Sequence, residues 1–408
     1  MTSASSSHQC DKILVWWNGL AQTKWVNARL QEIAIEVIGK ATRDCPADFA
    51  LRTVLKSRRL LSRSDAREIS RAVFSYYRWR GWRDLDSPVS DGLARALELD
   101  QVFQEKPNAF SLEELRSWAV PSWTQNGMDV SDAWLRTLQH PARLWLRTKK
   151  GQGRKLAEKL GDCWIPPGAA FADAVEYCGL EDLFRTPEFH AGEFELQDIA
   201  SQAVGLLCDP KPGETWWDVC AGEGGKTLHL SDLMGNKGLI WASDRAEWRL
   251  KKLKLRTGRA QCFNYRSVLW NGGAKLPTKT KFDGVLVDAP CSGLGTWQRN
   301  PHARWTTTPE DVAELSDVQF QLLSRAALAV KPEGKLIYSV CTLTRAETEA
   351  VARVFTSAMP DFEALTLPFL DIGEGRTKAT SAAAQMIWPQ DLGGNGMFVA
   401  GWRRKGGA

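Results

Sequence analysis

Cys291 and Cys341 are the residues of this 408-residue chain best placed to do chemistry. The first stands in VLVDAPCSGLG and the second in KLIYSVCTLTRAETE. Each follows a short β-type apolar run, one ending at Val287 and the other at Val340. In an open α/β sheet, the loops leaving the carboxyl ends of the strands are where ligands bind. An acid, Asp288, precedes the first thiol, and a glycine-rich turn, CAGEGGKT (Cys220 to Thr227), lies upstream. Two thiols, an acid and a turn that admits a ligand to the backbone point to covalent chemistry beside a bound nucleoside. A buried cysteine is more often a small apolar filler, which suits Cys208, Cys220 and Cys262. Cys291 and Cys341 differ because small or polar residues surround them at strand ends. A free thiol with a pKa of ~8.5 is only slightly ionised at neutral pH and needs activation, which a helix start just after Cys341 would assist.

The glycine turn admits more than one ligand. A phosphate-cradling P-loop requires Gly-x-x-x-x-Gly-Lys-Ser/Thr. Gly225, Lys226 and Thr227 fit, but Cys220 stands where the first glycine is needed. VLVDAP could pose as a Walker B strand, so an NTPase is a rival reading. The dinucleotide pattern G-x-G-x-x-G also fails, because no glycine follows Gly222 and Gly224 at the required place. A nucleoside held through its ribose fits better. Asp244 closes the next strand, where an acid can accept from both ribose hydroxyls, although an acid there is as often a helix cap. The cofactor-binding candidates are therefore Cys220, Ala221, Gly222, Glu223, Gly224, Gly225, Lys226 and Asp244.

These residues need a sheet to hold them, and the chain after Gly192 has the rhythm of strand, turn and helix. Strands are expected at Thr215–Val219, Leu239–Ser243, Phe282–Val287 and Lys335–Val340. The third is a nearly unbroken apolar run, as in the middle of a parallel sheet. Helices are expected at Lys226–Leu233, at Glu247–Leu255 and after Thr308-Pro309-Glu310-Asp311, where a cap, a proline and two acids suit a helix start. Thr344 and Glu347 have the spacing of a capping box for one more helix. GGNGMFVAGWRR suits an antiparallel edge hairpin. The whole reads as a doubly wound α/β domain over 192–408. Before it, a tail is expected over 1–23, an all-α domain over 24–140 and a small α/β bridging segment over 141–191.

Composition sets the class. With 43% hydrophobic and 25% charged residues, the chain is an ordinary globular protein of two or three domains. No apolar run approaches the ~18 residues of a membrane helix, and the start lacks the order of a secretion signal. Nine cysteines without a C-x-x-C pair argue against a disulfide framework or a zinc cage, so no metal is expected and a reducing cytoplasm is the simplest location. The net charge of +5 says little, but Arg52 to Asp84 holds ten basic residues against three acids. On a helix, Arg67, Arg71 and Arg78 share one face, opposite Ile69, Val73 and Tyr76. A solvated basic face is the plain reading; interleaved Tyr77, Trp79 and Trp82 favour a surface that stacks on exposed bases and pairs with phosphate. Arg299 and Arg304, in TWQRNPHARW, join these as RNA-binding candidates.

At DAPCSGLGTWQRNPHARW (288–305) and IYSVCTLTRAETE (337–349) the chain resembles the RNA cytosine-5 methyltransferases of the RsmB/Nop/Sun type. CAGEGGKT, GEFELQDIASQ (192–202) and WPQDLGGNGMFVA are similar to further motifs of that family, and 24–138 is similar to its NusB-like domain. The resemblance implies a Rossmann-like catalytic domain that uses S-adenosyl-L-methionine and acts on RNA, most simply ribosomal RNA; a monomer that needs no membrane is the default expectation. The resemblance gives Cys341 the attack on carbon 6 of a cytosine and Cys291 a part in releasing the product. Asp288 would hold the base edge, either donating to N3 as an acid or accepting from the exocyclic amine, and would also border the cofactor. Three departures stand out. Gly222 and Glu223 replace Ala and Pro, which would put a carboxylate near the cofactor. QCFNYRSVLW offers no acid for the adenine side, leaving Ser267 or Arg266. Thr348 stands where the family has Asn. A transfer RNA substrate, and an RNA-binding protein that keeps the fold without catalysis, are alternatives.

Overall fold

The structure, a computed structural model, describes residues 27–58, 60–368, 370 and 382–406. The tail expected over 1–23 lies outside them. The chain divides into two compact units, one of residues up to 142 together with 296–309, the other of 143–295 with 310–408. Among the described residues no helix is long and apolar enough to cross a membrane.

The first unit is helical. Its longer helices are α1 (Ala28–Lys40), α2 (Ala47–Ser57), α3 (Arg63–Arg78) and α4 (Val89–Glu105). Apolar residues at three- and four-residue spacing bury one stripe of each, as Leu30, Ile33, Ala34 and Val37 do in α1 and Ile69, Ala72 and Val73 in α3. Ser62 and Asp65 start α3 with a reciprocal capping box. Residues 296–309 are an integral part of this unit's core. Trp297 is fully buried, its ring centroid 6.4 Å from that of Trp134. Arg304 is fully buried and donates to the carbonyl oxygens of Arg78, Ala119 and Leu138 at 3.3, 2.9 and 3.0 Å.

This packing corrects part of the expected RNA surface. Arg304 spends its guanidinium on three carbonyls that would otherwise lack donors, so it is a structural residue. Arg78 is buried at the end of α3 and pairs with the carboxylate of Asp100 at 2.9 Å. Tyr77 and Trp79 are core residues, and the Trp82 indole donates to Glu114 at 2.8 Å. Arg67 and Arg299 are exposed, and Arg71 is half-buried.

The second unit carries two sheets. In the smaller, β1 (Trp145–Thr148), β2 (Cys163–Trp164), β3 (Ala174–Tyr177) and β4 (Phe194–Leu196) are ordered β2-β3-β1-β4, all antiparallel. The boundary expected at 191 therefore falls inside this sheet, because β4 lies beyond Gly192. The larger sheet comprises β5 (Thr215–Asp218), β6 (Leu239–Asp244), β7 (Tyr265–Leu269), β8 (Phe282–Asp288), β9 (Val330–Val340), β10 (Phe362–Ala364), β11 (Ala384–Ile387) and β12 (Met397–Arg404). Its order is β10-β12-β9-β8-β5-β6-β7, with β11 also on β12. β7, β6, β5, β8 and β9 run parallel, while β12 joins β9 antiparallel. This is the Rossmann-like α/β fold with an antiparallel edge. The aromatic pair Trp216-Trp217 fits its centre because Gly284 faces Trp216; a Cβ there would lie 2.3 Å from the indole.

Candidate active site

Strand register decides which residues meet. β8 and β9 run side by side, pairing Asp288 with Ser339, so the loops after Asp288 and Val340 leave the same edge together. Their cysteines converge: the sulfurs of Cys291 and Cys341 are 3.3 Å apart. Two backbone bonds brace the approach. The Gly295 amide donates to the Cys341 carbonyl at 3.0 Å, and the Gly396 amide to the Gly295 carbonyl at 2.7 Å. A Cβ on Gly295 would lie 2.0 Å from the Gly396 oxygen, so glycine is required there. The Cys291 thiol is pushed well above its ordinary pKa, first by its hydrogen bond to Cys341 and then by burial.

Asp288 sits beside this pair with both oxygens engaged. Lys226 donates to Oδ2 at 2.7 Å and the Ser339 hydroxyl to Oδ1 at 2.7 Å. Burial opposes the Lys226 charge, but Asp288, and more weakly Cys341, outweigh it and raise its pKa. Neither Ser339 nor the pairing of Lys226 with Asp288 was legible in the sequence, since both depend on register across strands. Asp218, at the end of β5, is fully buried and accepts from Thr227 at 2.6 Å. Burial pushes its carboxyl up to about 7, despite the opposing Thr227 bond.

The glycine turn lies between β5 and the helix Gly225–Leu233. Gly222 has φ +56°, a left-handed conformation that favours glycine, and a Cβ on Gly222 or Gly225 would meet nothing within 4 Å. Backbone therefore borders open space here. Asp244, buried at the end of β6, accepts from the Gly222 amide at 3.0 Å and the Ala246 amide at 2.8 Å. Those bonds tie the acid to the turn while leaving lone pairs for a ribose, so the residues present fit a nucleoside cofactor. Ala221 and Gly224 pack behind the turn, and burial raises the Cys220 thiol pKa, as suits a filler.

Three expectations change. Glu223 is not a lone carboxylate on the turn: it pairs with Lys252 at 2.7 Å and its carbonyl accepts from Arg256 at 3.1 Å. Ser267 pairs with Ala242 in the middle of edge strand β7, two residues short of the level of Asp244, and Arg266 is one residue further back. The structure brings neither to the carboxyl ends. Thr344 and Glu347 do not cap a helix, because the next helix starts at Glu349 after Thr348. Glu347 is buried among the cysteine loops instead. The motifs at 192–202 and 388–400 meet through Asp198, whose carboxylate caps the helix Ile199–Cys208 and accepts from the Asn395 amide at 3.0 Å.

A parallel sheet with a reversed edge strand, a glycine turn on its first strand and an acid at the tip of the second define an α/β methyltransferase domain. Residues 205–403 match the family described as 16S rRNA methyltransferase RsmB/F. The chain belongs to this RsmB/F family, whose members depend on S-adenosyl-L-methionine. It is 38% identical to a probable ribosomal RNA small subunit methyltransferase B from Synechocystis sp., over 54% of this chain and 50% of that one. To the Bacillus subtilis protein of the same description it is 34% identical, over 71% of this chain and 66% of that one. The chain thus spans about half to two thirds of the length of these curated relatives. The solved structure of PH0851 has the same fold at 23% identity, with a TM-score of 0.76 over 94% of this chain and 100% of that one.

Proposed function

We propose that this chain methylates carbon 5 of a cytosine in ribosomal RNA, through a transient covalent bond from Cys341 to carbon 6. The observation that carries the reading is the pair of sulfurs 3.3 Å apart beside an acid whose two oxygens both accept hydrogen bonds. Carbon 5 of cytosine is a poor nucleophile until the ring loses its aromaticity. When Cys341 adds to carbon 6, the C5–C6 π electrons are freed and carbon 5 gains enamine character. S-adenosyl-L-methionine, when bound, supplies a methyl group on a sulfonium, and Gly222, Gly225 and Asp244 would hold it.

Asp288 acts as an acceptor. With Lys226 on one oxygen and Ser339 on the other, it is set to receive the exocyclic amine of the base and not to donate to N3. The Lys226 ammonium lies beside Asp288 and within electrostatic reach of Cys341, favouring a thiolate there. After methylation the carbon 5 proton must leave so that the S–C6 bond can break. Cys291, adjacent to that bond, serves this release. The target base has to leave its stack, since carbons 5 and 6 are attacked from the ring face.

Two variants test this. Cys341→Ala should abolish methylation of ribosomal RNA, measured by bisulfite sequencing. Cys291→Ala should accumulate a covalent RNA–protein adduct, visible as a heat-stable shifted band. Full activity in Cys341→Ala would refute the mechanism, and calorimetry showing ATP bound in preference to S-adenosyl-L-methionine would refute the reading as a whole.

A further inference from the structure

Glu347 is a fully buried carboxylate that receives five hydrogen bonds, none from a charged group. Its Oε1 accepts from the Ser292 amide at 2.8 Å and from Gln319 at 3.0 Å. Its Oε2 accepts from Thr342 at 3.0 Å, from Thr344 at 2.8 Å and from the Ser292 hydroxyl. Ser292 directly follows Cys291 and Thr342 directly follows Cys341, and their hydroxyls are themselves 2.9 Å apart. One carboxylate therefore grips the residue next to each thiol. Gln319 completes the frame, giving its second amide proton to the Pro290 carbonyl at 2.9 Å, one residue before Cys291.

We propose that Glu347 is a positioning residue that sets the separation of the two sulfurs, clamping the loops after β8 and β9 to each other. Burying an acid without a cation is costly unless its hydrogen bonds are complete. An arrangement that concentrates five donors on one group holds those donors in place as firmly as it holds the acid. The assignment rests on the proposed roles of Cys341 and Cys291: addition and release require both sulfurs at one ring edge, where a misplacement of about 1 Å can cost about 10²-fold in rate.

The first readout needs neither RNA nor cofactor. In glutathione buffers the two thiols pass two electrons and two protons to glutathione disulfide, giving the Cys291–Cys341 disulfide and two glutathione molecules. The equilibrium constant reports how closely the protein holds the pair. Glu347→Gln puts an amide N–H against a donor and should lower that constant by at least tenfold, about 30 mV for a two-electron couple. It should also lower kcat with little change in KM for RNA. Thr342→Val, which removes one grip on the Cys341 side, should shift the constant in the same direction by less, and decides the matter if Glu347→Gln does not fold. A folded Glu347→Gln with a constant within twofold of the parent overturns the proposal. Failure of the parent to methylate RNA would instead sink the proposed function and leave the thiol result standing.

Discussion

A single ammonium serves two groups at the residue scale. Lys226 holds the Asp288 carboxylate and faces Cys341, so replacing it should hurt both base recognition and thiol activation. Lys226→Met should lower the methylation rate by roughly 10²–10³-fold, the range for loss of one preorganised electrostatic partner. It should also move half-maximal alkylation of Cys341 by iodoacetamide to higher pH. An unchanged alkylation profile would separate the lysine from the thiol. The cysteines themselves were legible in the sequence, because each follows an apolar run with small or polar residues around it. Glu347 was not: Thr-x-x-Glu before a helix looks the same whether it caps that helix or is drawn into a buried cluster. Arg78 and Arg304 misled for a related reason, since a basic residue at a helix end or in a loop gives no local sign that the chain there turns inward.

At the scale of elements, four of the five parallel strands were legible to within a few residues because apolar runs between turn residues leave little choice, whereas β7, mostly exposed at the sheet edge, was not. The boundary at 191 was misplaced, since β4 is too short and too polar in sequence to show that it pairs back with β1. The pairing of β5 with β8 rests on a size match, the Trp216 indole lying over Gly284. Gly284→Ala should destabilise the fold by about 1–3 kcal/mol, as overpacking does, measured as a lower urea midpoint. The effect on cofactor affinity should be small, because the clash lies in the body of the sheet and away from the glycine turn.

For the whole molecule, Asp218 links stability to pH. Its carboxyl titrates near pH 7 in the native state, against about 3.9 for an unfolded chain. Between those values only the native state keeps the proton, so this group's contribution is full below about pH 4 and is lost as pH rises to about 7. Asp218→Asn removes that term. The urea midpoint of the variant should therefore gain on the parent between pH 5 and pH 8, and a constant difference would refute the assignment.

The loop bearing Cys291 runs without a break into residues 296–309, which complete the helical unit through Trp297 and Arg304. A ribosome making this chain delivers that plug only after β5 to β8 have emerged. Until then the carbonyls of Arg78, Ala119 and Leu138 lack the guanidinium that will later satisfy them. The helical unit is therefore completed only after β5 to β8 of the other unit have been made, although most of it is synthesised first, and cutting the gene after codon 142 would yield a fragment missing part of its own core.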